Sequence, residues 1–414
     1  MSTHYRELIN PGTNFEFVGK TRLWLTLSVI AVAVSILMLP LNLALRGSPL
    51  NFSIDFKGGT DIVMTFAKPI SAGDIRKAME DAGHKQVDVS TYKFKDASEK
   101  LQDAYLVRVP EFGALKEEQA HAIENDFVKA QGGSQVVPKA IWSGDTFNVR
   151  STKPIAEAQI KSFLAEKGLE AKAWSPEQQK QFASPVAGTS EYDYQVAVFG
   201  LDRSVGNALS KSLGTEVQIR QVDAVGPKAG EELRNDAVKS LLYAIALIML
   251  YIAFRFDFRY GPGTVASLLH DAILVIGVFA VSWVEFSLTT VAAVLTVIGY
   301  SMNDTIVVFD RIRENEHKLK DKKFDRVINI SVNETLSRTI LTSLATFVVT
   351  LAMNLLGTGL VRNFAFAMNI GIIVGTYSSI FVAAPILLWL NDRYFAKRSA
   401  TSSRRPTGIT PETA

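Results

Sequence analysis

Six blocks of about 18 or more predominantly apolar residues constrain this chain more than anything else in it: Leu23–Leu45, Ala237–Phe254, Gly263–Trp283, Leu288–Phe309, Thr339–Leu356 and Phe364–Leu390. A helix that crosses the hydrocarbon core of a bilayer needs about 20 such residues. One block of this kind fits a buried core helix of a soluble domain, but six of them fit a polytopic membrane protein. The 48% hydrophobic content of the 414 residues is therefore gathered into spans, not spread over soluble cores.

Charge placement orients the spans. Arg6, Lys20 and Arg22 precede the first, and Arg255 and Arg259 follow the second. Arg311, Arg313, Lys318, Lys320, Lys322, Lys323 and Arg326 follow the fourth, and Arg393, Lys397, Arg398, Arg404 and Arg405 follow the sixth. The intervening loops Trp283–Ser287 and Gly357–Asn363 carry a single basic residue, Arg362. The positive-inside rule then places both termini in the cytoplasm. These basic clusters read as topology signals, not as nucleic-acid patches. The absence of cysteine fits an exported domain without disulfides. The first block is too long for a signal-peptide core and reads as an uncleaved anchor.

The expected organisation follows: a cytoplasmic segment 1–22, spans at 23–45, 237–254, 263–283, 288–309, 338–356 and 364–390, a cytoplasmic amphipathic stretch 310–337, and a cytoplasmic tail 391–414. Within the first segment, Asn10-Pro11-Gly12 is a turn signal. Phe15, Phe17 and Val18 point to a piece lying on the inner interface, with a disordered tail as the alternative. Residues 46–236 form one large outside domain.

That domain carries an internal repeat. Ile62–Phe66, Lys68-Pro69-Ile70, Ile75 and Gly83 match Phe147–Ser151, Lys153-Pro154-Ile155, Ile160 and Gly168 at a constant offset of 85 residues. Each copy reads strand, proline turn, amphipathic helix, glycine stop. The first copy continues as strand Tyr105–Pro110, helix Lys116–Ala130 and strand Gln135–Ile141. The second continues as strand Tyr194–Phe199, helix Asp202–Leu213 and strand Glu216–Val225. Two β-α-β-β-α-β patterns predict tandem ferredoxin-like units at about 60–143 and 145–226, with chance similarity as the alternative. The fold class is thus a six-helix polytopic α-helical membrane protein with an inserted, duplicated α+β domain. At that domain's edges, Gly58 and Gly59 allow a tight turn, and Gly226-Pro227 breaks the last strand before the second span. This junction is either a plain linker or a hinge.

Chemistry concentrates in the fourth span. In GYSMNDTIVVFDRIREN, Asn303 and Asp304 sit about five residues, roughly 8 Å, inside the charged end. An aspartate inside a membrane helix costs about 2.5–3.5 kcal/mol on insertion scales, so it marks function by default. Arg338 enters the fifth span from the same side at a comparable depth. Pairing with Asp304 or gating it is one role for Arg338, and snorkelling to the interface is the other. His270-Asp271 in the third span reads as a proton relay or as a structural polar contact. Gly371 and Gly375 in the sixth have the spacing of close helix contact. The chain has no P-loop, nucleophile elbow, zinc-protease helix or Cys/His metal spacing, which argues against an enzyme and against a metal site. Work done by such a chain draws on a gradient or a partner.

DFKGGT at Asp55–Thr60, VGPKAGEEL at Val225–Leu233, His270-Asp271, the fourth-span motif Gly299–Asn315, ETLSRTILTS at Glu334–Ser343 and NFEFVGK at Asn14–Lys20 together resemble the SecF family. SecF is the smaller half of the SecD–SecF accessory complex of the bacterial Sec translocon. The resemblance implies an RND-like half that pairs with SecD in the inner membrane and uses a transmembrane proton gradient, with no bound cofactor, to assist preprotein export. It implies Asp304 as the coupling carboxylate and Arg338 as its functional partner, with Asn303, His270 and Asp271 as supporting polar groups. The implied partners are SecD, the SecYEG channel, YajC or YidC, preproteins and lipid, and no nucleic acid. The large domain is then periplasmic. The duplicated domain departs from the single small unit usual in the family. Half of an RND-type small-molecule or lipid exporter is the alternative, and a scaffold that stabilises its partner is a third reading.

Overall fold

The computed structural model describes residues 14–84, 87–95, 101–113, 115, 117–131, 140–255 and 259–395. The turn at Asn10-Pro11-Gly12, most of the tail 391–414, and residues 135–139 of the expected strand Gln135–Ile141 lie outside them. In chain order, helix α1 (Thr21–Arg46) leads to a short helix α2 (Ile54–Lys57). Strand β1 (Gly59–Phe66), helix α3 (Ala72–Asp81) and strands β2 (Asp88–Lys95) and β3 (Leu101–Val109) follow. Then come α4 (Glu117–Ala130), β4 (Ile141–Ser143), β5 (Thr146–Ser151), α5 (Glu157–Glu166), α6 (Pro176–Phe182) and β6 (Tyr192–Ala197). Helix α7 (Leu201–Leu213) and strand β7 (Val217–Val225) close this part. The remainder is helical: α8 (Pro227–Arg255), α9 (Gly261–Ser282), α10 (Leu288–Lys318), α11 (Phe324–Leu356), α12 (Gly359–Ser378) and α13 (Ala384–Leu390). Two compact units result, one of residues 53–235 and one formed by 1–52 with 236–414.

The α+β unit preserves the repeat residue by residue. The helices α3 and α5 both bury one apolar side, Ile75 and Met79 in one and Ile160 and Leu164 in the other. Both end in the same Schellman cap. His84 N–H bonds Met79 O at 3.1 Å, as Leu169 N–H bonds Leu164 O at 2.9 Å. Gly83 and Gly168 take the positive φ that this cap requires, 96° and 77°. A tyrosine of the neighbouring strand reaches the proline turn in each copy. Tyr105 donates to Ile70 O, and Tyr194 Oη accepts from Ile155 N–H at 2.7 Å.

The pairing of the halves differs from the tandem expectation. One sheet runs β2-β3-β1-β7 and the other β4-β5-β6, all antiparallel. The first has the ferredoxin-like order, but its last helix and strand, α7 and β7, come from the second sequence repeat. Leu201, Val205 and Leu209 of α7 fill the core under β1, β2 and β3. Conversely, Phe127 of α4, from the first repeat, lies in the core of the second sheet with Phe147, Ile160, Leu164 and Val196. An antiparallel bridge, Ala171 to Val198, stands where the second sheet has its fourth strand position. The boundaries at 143 and 145 are therefore corrected: one half is 59–109 with 201–225, and the other is 117–198. Two repeats with the same pattern offer interchangeable helix–strand ends, and no local signal assigns an end to its own repeat.

Among the described residues, six helices are long and apolar enough to cross a membrane. Segment Gly359–Tyr394 is the most enclosed, with 61% of its apolar window buried, against 6% for α8. Helix α8 exposes Leu242, Tyr243, Leu247 and Leu250, and α1 exposes Leu27, Ile30 and Leu37, as lipid-facing surfaces do. Glycines let the central helices touch. A Cβ on Gly371 would stand 2.0 Å from the Val297 side chain, and one on Gly375 would stand 2.9 Å from Ser301 Cβ, so α12 lies directly against α10. Past Ser378 the helix widens into a π turn, Ser379–Ala383, ahead of Pro385.

Residues 310–337, expected as a surface-lying stretch, mostly extend α10 and α11 beyond their apolar parts. Only Leu319–Lys323 separates the two helices. Side-chain pairs hold the extensions together: Asn315 donates to Ser331 Oγ at 3.0 Å and Arg311 donates to Glu334 at 2.6 Å. The N-terminal segment docks on the same structure. Asn333 and Asn329 accept from the N–H groups of Phe15 and Phe17, both at 2.8 Å.

Candidate functional site

Helix α10 starts from a capping box at Ser287 and Thr290 and buries one side: Val294, Val297, Ile298, Ser301, Asp304, Thr305 and Val308. Apolar and hydroxyl residues share that side at a spacing of three and four. Asp304 thus points inward and is 2% exposed. Asn303, one residue earlier, lies on the exposed side and makes no contact with this cluster.

Asp304 is sparsely held. Ser343 of α11 donates to its Oδ2 at a long 3.4 Å. Thr376 of α12 donates to Ser343 Oγ at 2.7 Å, and the Tyr300 hydroxyl lies 3.5 Å from that oxygen. Arg338 stands on the exposed side of α11. Its charge lies within coulombic range of Asp304, but no ion pair joins the two among the described residues. A buried carboxylate ordinarily has two or three close donors or a cation against it. Among the described residues Asp304 has one distant hydroxyl, and a proton on the carboxylate would change that bonding.

Asp271 in α9 is held differently. It is fully buried. Its Oδ2 accepts from Ser301 of α10 and, at 2.7 Å, from Ser378 of α12, while its Oδ1 faces His270 Nδ1 at 2.8 Å. The sequence-predicted residues therefore fall into three places: Asp304 in one hydroxyl cluster, His270 and Asp271 in another, and Asn303 and Arg338 outside both. The hydroxyls that make the clusters, Ser301, Ser343, Thr376 and Ser378, were missed in the sequence reading. Only Ser301 lies one helical turn from an aspartate in the chain, Asp304; Ser343, Thr376 and Ser378 reach the clusters from α11 and α12.

The charged end of α10 is anchored. Arg255 of α8 pairs with Asp310 at 3.3 Å, and Arg259 pairs with Glu316 and stacks over Phe324 at 5.0 Å. In the α+β unit, the four junction residues meet. Gly59 opens β1 opposite Val225, and a Cβ on Gly58 would stand 2.9 Å from Pro227 Cα. Gly58 has φ 76° and Gly59 φ 119°, so glycine is required at both. Pro227 is the first residue of α8, the helix that carries the second span. Among the described residues no group of three His, Asp or Glu side chains is placed to hold a metal.

Residues 205–393 match the family described as "Protein export membrane protein SecD/SecF, C-terminal", and residues 47–70 match the "SecD/SecF GG Motif", which includes Gly58 and Gly59. The chain is 34% identical over 388 residues to a protein translocase subunit SecF of Koribacter versatilis, covering 91% of each chain. It is 44% identical over 196 residues to a SecF of Rhodothermus marinus, covering 46% of this chain and 64% of that one. The crystal structure of SecDF from Thermus thermophilus superposes with a TM-score of 0.59 at 28% identity, over 92% of this chain and 39% of that one. This chain thus spans less than half of the SecDF chain. With six apolar helices, the GG motif and near full-length similarity to a SecF, the chain belongs to the SecF family.

Proposed function

We propose that this chain is an accessory subunit of the Sec translocon that uses the proton-motive force, together with SecD, to assist preprotein export across the inner membrane. The observation that carries the reading is Asp304, buried inside a helix long and apolar enough to span a membrane and contacted by a single hydroxyl at 3.4 Å. Protonation removes its charge and releases the Ser343 hydroxyl proton from Asp304, while Thr376 already donates to Ser343 Oγ. That change biases how α10, α11 and α12 pack, which is the way a proton does work on a two-state bundle. Arg338 on α11 acts as the charge that meets Asp304 in one of the two states. His270, Asp271 and Asn303 support the polar path. No cofactor takes part.

By the positive-inside rule the termini lie in the cytoplasm and the α+β unit lies in the periplasm. Gly58, Gly59, Gly226 and Pro227 act as the joint through which helix movement reaches that unit. SecD is the partner the exposed faces favour. Along α10, Ala292, Thr296, Gly299 and Asn303 form an exposed stripe of small and polar residues, and α11 exposes Arg338, Thr342 and Ala345 beside Leu341 and Leu344. Lipid-facing helices expose Leu and Ile instead, whereas small and polar side chains suit a second helix. The fused SecDF of Thermus thermophilus supports the same partner. SecYEG, with YajC or YidC, completes the assembly. An Asp304→Asn strain tests the reading: precursor proteins should accumulate while the subunit still assembles with SecD. Normal export kinetics in that strain would contradict it.

A further inference from the structure

A histidine nitrogen buried in the helical unit without a partner carries an inference beyond Asp304. His270 is 6% exposed and Asp271 is fully buried. The Asp271 carboxylate already has its donors: Ser301, Ser378 at 2.7 Å and His270 Nδ1 at 2.8 Å. With Nδ1–H donating to Asp271, His270 Nε2 is an open lone pair. Nε2 is buried and has no hydrogen-bond partner among the described residues. A merely structural polar contact would leave no such group, because buried acceptors are nearly always paired.

We propose that His270 Nε2 is a second proton-binding position of this unit, charge-balanced by Asp271 and coupled to Asp304 through α10 and α12. The proposal rests on the proton-driven reading given above. As it stands the His270–Asp271 pair carries one negative charge away from water. A proton arriving on Nε2 converts the imidazole to imidazolium, and the pair becomes neutral overall with its Nδ1–H bond to Asp271 intact. No covalent bond other than the new N–H forms or breaks.

The coupling is built into two helices. Ser301 bonds Asp271 and lies one helical turn before Asp304 on α10. Ser378 bonds Asp271 and lies two residues beyond Thr376, which bonds the Ser343 that holds Asp304. Ser267 of α9 adds a donor to Ser378 at 3.0 Å. The π turn Ser379–Ala383 begins directly after Ser378, so the segment that carries this hydroxyl has a local irregularity able to shift.

Few other ionisable groups face the pair. Tyr377 of α12 stacks on the His270 ring at 6.2 Å, with its hydroxyl committed to Ser28 and to Trp24 O of α1. Helix α10 contributes Asp304. Within α1 the ionisable residues are Arg22 and Arg46 at its ends, and α9, the π turn and α13 add none beyond His270 and Asp271.

Infrared titration of the full chain, reconstituted in lipid with its partner, reads both sites. Of the imidazole signal of the five histidines, the Asp304→Asn protein should keep a titrating component that His270→Phe removes, read as the difference between the two spectra. The two groups should also feel each other. His270→Phe fixes a negative charge at Asp271 and should raise the pH midpoint of the Asp304 carboxyl band. Asp271→Asn removes that charge and should lower it, the two midpoints separating by about one pH unit. Ser301→Ala should keep both bands and shrink the separation. If the Phe variant fails to assemble, His270→Gln, which keeps a donor to Asp271, gives the same readout. An imidazole signal of Asp304→Asn that His270→Phe leaves unchanged, or equal Asp304 midpoints in the His270 and Asp271 variants, would overturn the proposal. A wild-type protein without an Asp304 band would overturn the Asp304 reading instead.

Discussion

The α+β unit and the helical unit each bury an aspartate, and they treat it in opposite ways. Asp61 on β1 lies beside Arg108 on β3, with Nε to Oδ1 and Nη2 to Oδ2 both at 2.7 Å. The two side chains are 13% and 16% exposed. Burial pushes the Asp61 carboxyl above the usual range, and the paired Arg108 bonds pull against that rise without cancelling it. Asp304 is more deeply buried, 2% exposed, yet among the described residues it has one hydroxyl at 3.4 Å. The first arrangement is closed: every acceptor position that matters is filled by a bidentate partner. The second is open. A carboxylate left short of donors adds little to the fold, so the contrast separates a charge kept for folding from the one proposed above to do work.

Removing the partner of the closed aspartate should have the largest effect on stability. Arg108→Leu strands Asp61 and should destabilise the α+β unit by about 3–5 kcal/mol, whereas the double change with Asp61→Leu should recover most of the loss. Thermal unfolding of the purified chain in detergent measures both. The pH sign is fixed by the raised carboxyl. Its protonated form is favoured in the folded state, so the Arg108→Leu penalty should shrink as pH falls through the raised Asp61 value and grow as pH rises. A penalty that grows on acidification would break the assignment.

Packing changes rank next. Gly375→Val pushes a side chain into Ser301 of α10 and should cost about 1–3 kcal/mol, read as a lower melting temperature of the helical unit. Arg311→Ala removes half-exposed pairs with Glu314 and Glu334 and should cost less than about 1 kcal/mol. Asp304→Asn should have the smallest effect, leaving stability unchanged or slightly higher, because it removes a buried charge that has little to bond. A marked loss of stability in Asp304→Asn would show that Asp304 is a structural group like Asp61 and would erase the contrast.

The sequence disclosed some of this and concealed the rest, for physical reasons. The spans and the depth of Asp304 were legible because lipid tolerates so few patterns. The contact of Gly371 and Gly375 was legible because only small residues allow it. The repeat was legible down to the caps at Gly83 and Gly168. The exchange of α4–β4 and α7–β7 between its halves was not, because both ends carry the same amphipathic pattern and the choice is made by tertiary packing. The continuation of α10 to Lys318 was also hidden: the charged residues there read as an amphipathic stretch lying on the inner surface, but Arg311–Glu334 and Asn315–Ser331 make a helical pair of them. Within the site, the aspartates stood out by cost alone. Their hydroxyl partners did not, since Ser and Thr in a membrane helix usually bond their own backbone, as Thr305 does with Ser301 O at 3.2 Å.

The most direct test of an open, working carboxylate is export into membrane vesicles that carry either the wild-type chain or Asp304→Asn, with and without an imposed proton gradient. The wild-type vesicles should export faster when the gradient is present. The Asp304→Asn vesicles should run at the ungraded wild-type rate in both conditions, with the complex present in equal amount. A gradient-dependent gain that survives in Asp304→Asn would contradict the account.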